Sequence, residues 1–248
     1  MMCRRQWLEG MLVVLGVAGT RRTALAAPAE LALPADAPVH TVNFESRGIE
    51  DWTIVAGRWA IEETADASSR RKVLVQRATR NEFNVVVAPG SYADVDVSVK
   101  FKPISGREDA SGGIVVRFSD GKYYVARANA LEGNFRLYTY DRGRRQIATA
   151  SVKTPALGQW HALRLVAVGD HMQAWLDGAL LLDHVDARFK AGRVGLWTKA
   201  DSITAFDDLT IRGKTLAGQR SPRVLSASPS RWPVPTAYGA TEILSKNR

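Results

Sequence analysis

The stretch from Gly112 to Asp208 constrains the fold most, because it consists of short alternating segments joined by two-residue turns. Apolar and polar residues alternate within each segment, which is the period of a half-buried strand. Asp120-Gly121, Gly169-Asp170 and Asp177-Gly178 lie between such segments, and pairs of this type predict β-hairpins. No window keeps a helical period, so helices should be few and short. The stretch therefore predicts an all-β, antiparallel jelly-roll β-sandwich.

One domain accounts for most of the chain. Its 248 residues, of which 46% are hydrophobic, suffice for one large all-β domain. Turn signals recur along the chain and predict a single sandwich over residues 41–215. Residues 27–40 are rich in Ala and Pro, and we expect an extended lead-in there. Residues 216–248 are rich in Ser, Pro and Arg and lack strand patterning, which predicts a basic, disordered tail.

The N-terminus has the features of an export signal. A basic Arg4-Arg5 pair precedes a short apolar run, and Ala24-Leu25-Ala26 offers a cleavage site. The segment Cys3–Glu9 resembles a twin-arginine signal, although Trp7 replaces the usual Phe. A mis-assigned start codon is the alternative. Residues 1–26 therefore predict export to the periplasm or outside of a bacterium, with no transmembrane anchor once the signal is removed.

The formal charge of +9 is concentrated at the two ends of the chain. Residues 1–26 carry a net +3 and residues 216–248 a net +4, which leaves +2 for the central part. The domain itself is thus close to neutral. We expect no nucleic-acid partner.

The parity of the hairpins separates core positions from the other face. If Asp120-Gly121 closes a regular hairpin, Val116 lies opposite Val125 in the core, and Arg117 lies opposite Tyr124 on the other face. The same rule pairs Arg164 with Trp175 away from the core. Applied along the strands, it predicts one non-core face rich in aromatic and basic side chains, comprising Arg117, Tyr124, Arg136, Tyr138, Arg164, Trp175, Trp197 and Lys199.

Several segments of this train resemble a known group of exported bacterial proteins. They are YYVARANALEGNFRLY (Tyr123–Tyr138), QWHALRL (Gln159–Leu165), AWLDG (Ala174–Gly178) and VGLWTKADSITAFDDL (Val194–Leu209). The group has the concanavalin A-like lectin/glucanase sandwich, akin to laminin G domains and to the 3-keto-disaccharide hydrolase-like domain. The resemblance implies this fold over residues 40–213. It leaves the function open, because the sandwich hosts lectins, hydrolases, lyases and interaction modules.

Two catalytic strands known in this fold are missing from the sequence. The laminarinase-like glycosidases carry an E-x-D-x-x-E strand, and the alginate lyases carry a Gln-Ile-His strand. Neither occurs here. The catalytic candidates that are left are Glu132, as a general acid or base, and His161, whose parity also fits a half-buried histidine bonded to a loop.

Polar residues cluster where one strand turns into the next. Arg127, Asn129, Glu132 and Asn134 could clamp a ligand, or they could satisfy a long turn, with Arg127 paired to Glu132. The complete set of ligand-binding candidates is Arg117, Tyr124, Arg127, Asn129, Asn134, Arg136, Tyr138, Arg164, Trp175, Trp197 and Lys199.

Metal binding has weaker support in the sequence. The histidines and the single cysteine do not have the spacing of a transition-metal site. Asp201, Asp207 and Asp208 flank the last strands and could hold a structural Ca²⁺, but turn capping explains them equally well. We expect no required cofactor.

The sequence therefore predicts an exported, glycan-binding β-sandwich without catalysis of its own. The first alternative is a hydrolase or lyase acting on 3-keto-disaccharides. The second is a structural or adhesion module whose basic tail docks on acidic envelope polymers.

Overall fold

The computed structural model describes residues 29–77 and 82–217, and this part of the chain contains strands and loops but no helix. The all-β prediction is confirmed. The predicted signal and nearly all of the predicted tail lie outside the described residues. The strands are β1 (Val39–Val42), β2 (Thr53–Ala56), β3 (Arg58–Glu63), β4 (Lys72–Arg77), β5 (Phe83–Tyr92), β6 (Val95–Ser105), β7 (Ser111–Ser119), β8 (Lys122–Asn129), β9 (Asn134–Tyr140), β10 (Arg144–Ser151), β11 (His161–Val168), β12 (His171–Leu176), β13 (Ala179–Val185), β14 (Gly192–Lys199) and β15 (Ile203–Arg212).

The strands form two antiparallel sheets. The first sheet has the order β13-β12-β11-β6-β15-β4-β3, with β1 also pairing with β15. The second has the order β10-β9-β8-β7-β14-β5-β2. Strand β1 begins at Val39, inside the segment expected as a lead-in. Neighbours such as β6 and β15 are far apart in the chain, as a jelly-roll sandwich requires.

One apolar core fills the space between the two sheets. Alternate residues of the first sheet, such as Val97 and Leu165, meet alternate residues of the second, such as Leu137 and Leu196. All four are fully buried. The removal of these side chains from water is the main stabilising contribution to the sandwich.

Most of the predicted hairpin parity is confirmed. The Gly169-Asp170 turn pairs Arg164 with Trp175 across β11 and β12, as predicted. On β9, Phe135 and Leu137 point into the inter-sheet core, while Tyr138 lies on the opposite face.

The predicted register of the Asp120-Gly121 hairpin is wrong beyond the turn. The turn itself forms, with Ser119 opposite Lys122, but a β-bulge follows and Val116 pairs with Tyr124 instead of Val125. Arg117 lies in the bulge with a φ of 56°. Because the extra residue reverses the side-chain parity, Tyr124 packs in the inter-sheet core and Val125 on the other face.

The prediction of a single aromatic and basic face is also wrong. Arg164 and Trp175 lie on the first sheet, whereas Arg136, Tyr138 and Trp197 lie on the second. Parity within a hairpin shows whether a side chain points to the core, but a sandwich has two outer faces.

The lead-in covers part of the outer face of the first sheet. Leu31 N donates a hydrogen bond to Gln173 Oε1 (2.7 Å), and Arg212 Nη2 donates one to Pro34 O (2.6 Å). Gln173, Val166, Asp96 and Arg212 form one row across four neighbouring strands. Val166 is fully buried although it points away from the inter-sheet core.

Candidate functional site

An aromatic layer forms the floor of the outer face of the second sheet. Phe83 stacks on Trp197 with ring centroids 5.5 Å apart, and Tyr123 stacks on Tyr140 at 5.1 Å. Within this layer Trp197 is fully buried. The rings therefore pack against each other, and the polar side chains beside them form the accessible part of the face.

A group of polar side chains surrounds Glu132 at the turn between β8 and β9. Arg127 Nη2 donates to Glu132 Oε2 (3.0 Å), and Asn134 Nδ2 donates to the same oxygen (2.9 Å). Arg136 Nη1 lies 3.4 Å from Oε2. Tyr138 OH accepts hydrogen bonds from Arg127 Nη2 and Arg136 Nη1, both at 3.3 Å. We call these five residues the Glu132 cluster.

The environment of Glu132 keeps its carboxylate ionised. Burial alone would raise its pKa, but the hydrogen bonds from Asn134 and Arg127, with the charges of Arg127 and Arg136, outweigh that effect. The result is a pKa lowered to about 2. The side chain of Glu132 is still 39% exposed, whereas that of Arg127 is only 2% exposed. Glu132 is thus a constant hydrogen-bond acceptor that solvent can reach.

Buried polar atoms without a hydrogen-bond partner collect in and around the Glu132 cluster. Among the described residues they include Arg127 Nε and Nη1, Arg136 Nε, Asn134 Oδ1, Asn129 Nδ2 and Ser111 Oγ. Most buried polar groups are paired, and an unpaired one costs about 1–3 kcal/mol. Hydrogen bonding within the chain is therefore incomplete in and around the Glu132 cluster.

A small surface cleft of about 90 Å³ is lined by a different set of residues, which includes Phe44, Asp51 and Trp52. None of its lining residues has an unpartnered buried polar atom. The cleft and the group of unpartnered polar atoms therefore lie at different places on the sandwich. The unpartnered polar atoms make the Glu132 cluster the candidate site.

Arg144 also belongs to this outer face and was missed by the sequence analysis. Its guanidinium lies 4.8 Å from the ring centroid of Tyr138 and 5.6 Å from that of Phe83. Arg144 lies directly opposite Tyr140 in the β9–β10 hairpin. The parity rule applied across the turn at residues 141–143 would have found it.

Two further candidates lie at the edge of the cluster. Asn129 Oδ1 accepts hydrogen bonds from Leu131 N (2.9 Å) and Ala110 N (3.4 Å), so Asn129 supports the turn that carries Glu132. Lys199 Nζ lies 3.5 Å from the buried carboxylate of Asp109.

Arg117 and Tyr124 are not surface residues, contrary to the prediction. Arg117 is 1% exposed and donates to the carbonyl oxygens of Ala93, Gly169 and Phe189. Tyr124 OH donates to Asp186 Oδ1 (2.7 Å) and accepts from Phe189 N (3.1 Å). Burial is the main cause of a Tyr124 pKa raised to about 12. Both residues hold loops in place at one end of the sandwich through these hydrogen bonds.

Arg164 and Trp175 form a packed pair on the first sheet. The guanidinium lies 4.5 Å from the indole centroid, and Arg164 donates two hydrogen bonds to Asp96, both 2.9 Å long. This pair is separated from the Glu132 cluster, because the two lie on different sheets.

His161 lies on β11 of the first sheet and is bonded at both ring nitrogens. Nδ1 lies 2.8 Å from Asp177 Oδ2, and Nε2 accepts a hydrogen bond from Ala156 N (3.0 Å). Its ring also contacts Phe101. The two catalytic candidates, Glu132 and His161, are therefore not brought together by the fold.

The candidate calcium ligands are engaged in loop contacts. Asp201 accepts hydrogen bonds from the backbone N–H groups of Arg107, Glu108 and Asp109, with the shortest at 2.7 Å. Asp207 accepts from Ser69 N (2.7 Å), and Asp208 from Ser68 Oγ (2.9 Å). Within residues 29–77 and 82–217, no three His, Cys, Asp or Glu side chains form a metal-binding group. A structural Ca²⁺ stays a prediction.

Residues 40–212 match the family described as the 3-keto-alpha-glucoside-1,2-lyase-like domain. The chain belongs to this family. The levanase of Bacillus subtilis (strain 168) is 26% identical over 166 residues, which cover 64% of this chain and 22% of the levanase. The chain thus spans about a fifth of the length of that curated relative.

Solved structures of other proteins share the sandwich. The carbohydrate-binding module CBM66 from Bacillus subtilis has a TM-score of 0.57 and 21% identity, covering 65% of this chain and 95% of the module. A Bacillus subtilis protein of unknown function with a galectin-like fold has a TM-score of 0.55 and 13% identity, covering 71% and 96%. At these identities the likeness shows the fold alone. In the described part of the chain, no helix is long and apolar enough to cross a bilayer.

Proposed function

We propose that this chain is a carbohydrate-binding β-sandwich whose site is the Glu132 cluster. The observation that carries the proposal is the collection of unpartnered buried polar atoms around a solvent-accessible, ionised Glu132. The levanase and the CBM66 module are relatives whose names concern carbohydrates, which supports the same class of ligand.

The cluster has the donors and acceptors that a sugar ring requires. Arg127, Asn134 and Arg136 all contact Oε2 of Glu132. Its other oxygen, Oε1, is the proposed acceptor for a sugar hydroxyl. Arg136 and Asn134 would form hydrogen bonds with neighbouring hydroxyls. No cofactor is needed for such binding.

The proposal includes no catalysis by Glu132 as a general acid. A carboxyl group with a pKa of about 2 holds no proton at neutral pH and has none to donate. His161 lies on the other sheet.

The second candidate function is cleavage of 3-keto-disaccharides, which the family description favours. Turnover of a 3-keto-disaccharide that is lost in Glu132→Gln would support it. No turnover by the full chain, with or without added divalent metal ions, would contradict it.

The proposal also places the protein in the periplasm or outside a bacterium. The Arg4-Arg5 pair and the Ala24-Leu25-Ala26 site carry this expectation, through the twin-arginine route. Fractionation of cells that express the full chain and an Arg4→Lys/Arg5→Lys variant tests it, since the variant should stay in the cytoplasm. An envelope association that disappears on deletion of residues 216–248 would favour the adhesion alternative.

Glycan binding is tested with Glu132→Gln and a matched control, Glu63→Gln. Glu63 pairs with Arg71 at 3.4 Å, and both side chains are mostly exposed on the first sheet. Affinity electrophoresis and titration calorimetry with a polysaccharide panel that includes levan should show binding by the wild type. A hydrogen bond to a charged group contributes about 1.5–3 kcal/mol, so we expect Glu132→Gln to weaken binding about tenfold or more.

Circular dichroism and the unfolding midpoint verify that Glu132→Gln remains folded at the assay temperature. The Glu63→Gln variant should bind as the wild type does. Equal loss in both variants, or no binding to any polysaccharide by the wild type, would contradict the proposal.

A further inference from the structure

Three guanidinium groups surround one tyrosine on the outer face of the second sheet. Arg127 and Arg136 each donate to Tyr138 OH at 3.3 Å, and Arg144 lies over the same ring at 4.8 Å. Among the described residues, Glu132 is the carboxylate that pairs with these arginines, and it pairs with Arg127 and Arg136. Three positive charges thus lie around one ring, and one carboxylate pairs directly with two of them.

Arg144 has no carboxylate partner in the part of the chain that the structure describes, and its side chain is exposed. It lies at the start of β10, which is an edge strand of the second sheet. The rings of Tyr138 and Phe83 hold its guanidinium through cation–π contacts. This support limits the freedom of the side chain, so less entropy is lost when it binds a ligand.

The other two arginines have unused donors as well. Arg127 Nε, Arg127 Nη1 and Arg136 Nε are buried and lack a hydrogen-bond acceptor. Clustered cations repel each other, and buried donors without acceptors are costly. A bound anion would offset the repulsion between the cations, because a carboxylate or sulfate brings negative charge to the cluster.

We infer that the site selects glycans that carry an anionic group, and that Arg144 contacts this group. The chemistry is that of a carboxylate, as in a uronic acid, or of a sulfate ester, since both match the guanidinium fork. The inference rests on the proposed function, and it adds the charge class of the glycan and a binding residue.

Arg144→Gln tests this inference, with Arg145→Gln as its matched control. Arg145 is the next residue on β10, is equally exposed, and lies opposite Thr139 instead of Tyr140. Its side chain therefore points to the other face of the strand, and both variants lose the same formal charge. Titration calorimetry uses polygalacturonate, dextran sulfate and neutral levan at two salt concentrations.

The expected result is tighter binding of at least one anionic polymer than of levan. Arg144→Gln should weaken anionic binding about tenfold or more, while Arg145→Gln changes it less than twofold. Preference for polygalacturonate would identify a carboxylate as the recognised group, and preference for dextran sulfate would identify a sulfate ester.

Two results would overturn the inference. One is equal weakening by both variants, since that indicates non-specific attraction to a basic surface. The other is levan binding that matches or exceeds anionic binding, which leaves the proposed function intact and removes the charge selectivity. Failure of all three polymers and of the neutral panel would contradict the proposed function itself.

Discussion

Arg117→Met should destabilise the sandwich without changing glycan binding. Arg117 donates to Ala93 O (3.2 and 3.0 Å), Phe189 O (2.8 Å) and Gly169 O (2.6 Å). These carbonyls belong to three different loops at one end of the sandwich. Methionine keeps an apolar stem of similar length but has no hydrogen-bond donor. The three loops therefore lose the side chain to which all of them are hydrogen-bonded.

The magnitude follows from the acceptors that are left behind. Each of three carbonyls loses a charge-assisted donor, and a net loss of about 1 kcal/mol per carbonyl gives about 3 kcal/mol. Burial disfavours the charged form of Arg117 and lowers its pKa, so removing the charge recovers part of that cost. We expect a decrease of about 2–3 kcal/mol in the free energy of unfolding.

Urea unfolding followed by tryptophan fluorescence measures this decrease. With a slope of about 2–3 kcal/mol/M, the midpoint should fall by about 1 M. Arg145→Met, at an exposed position, should change the free energy by less than about 0.5 kcal/mol. A change below about 0.5 kcal/mol in Arg117→Met, or a loss of glycan binding by the folded variant, would refute the structural role assigned to Arg117.

Three further predictions concern other parts of the sandwich. Because the pKa of Glu132 falls from 4.5 to about 2 on folding, its stabilising contribution is complete above pH 4.5 and lost toward pH 2. As the pH falls from 4.5 toward 2, the urea midpoints of the wild type and Glu132→Gln should therefore converge. A difference that stays constant over this range would contradict the lowered pKa of Glu132. Tyr124→Phe removes the bonds to Asp186 and Phe189 and should cost about 1–2 kcal/mol, whereas Tyr140→Phe, on the outer face, should cost little. Deleting residues 31–36 should expose Val166 and cost about 2 kcal/mol, and an unchanged unfolding midpoint would show that the lead-in does not cover it.

Much of the fold could be predicted because its hairpins are local. The pairing of Arg164 with Trp175 follows from a two-residue turn and a side-chain period of two. The sequence also indicated that Arg127, Glu132 and Asn134 lie at one strand turn, and the structure shows them in contact. Neighbours in the chain are neighbours in space at such a turn, so spacing alone suffices.

Arg117 shows where local reasoning failed. A β-bulge adds a residue to one strand only, and nothing in the alternation of Ile114 to Ser119 indicates it. From this bulge Arg117 donates to loops that are distant in the chain. Parity also could not show that Trp197 is covered by Phe83, because that contact joins β14 to β5.

The sequence by itself determined the all-β class, the hairpin turns, and the inward or outward direction of side chains in strands without a bulge, such as β9 and β11, because these depend on turn chemistry and a period of two. Only the tertiary structure decided which outward residues share a sheet. It also decided that Arg144 meets Tyr138 and Phe83, and that Arg117 is buried. The physical reason is that strand order, bulges and burial are determined by packing between segments far apart in the chain, which local patterns do not record.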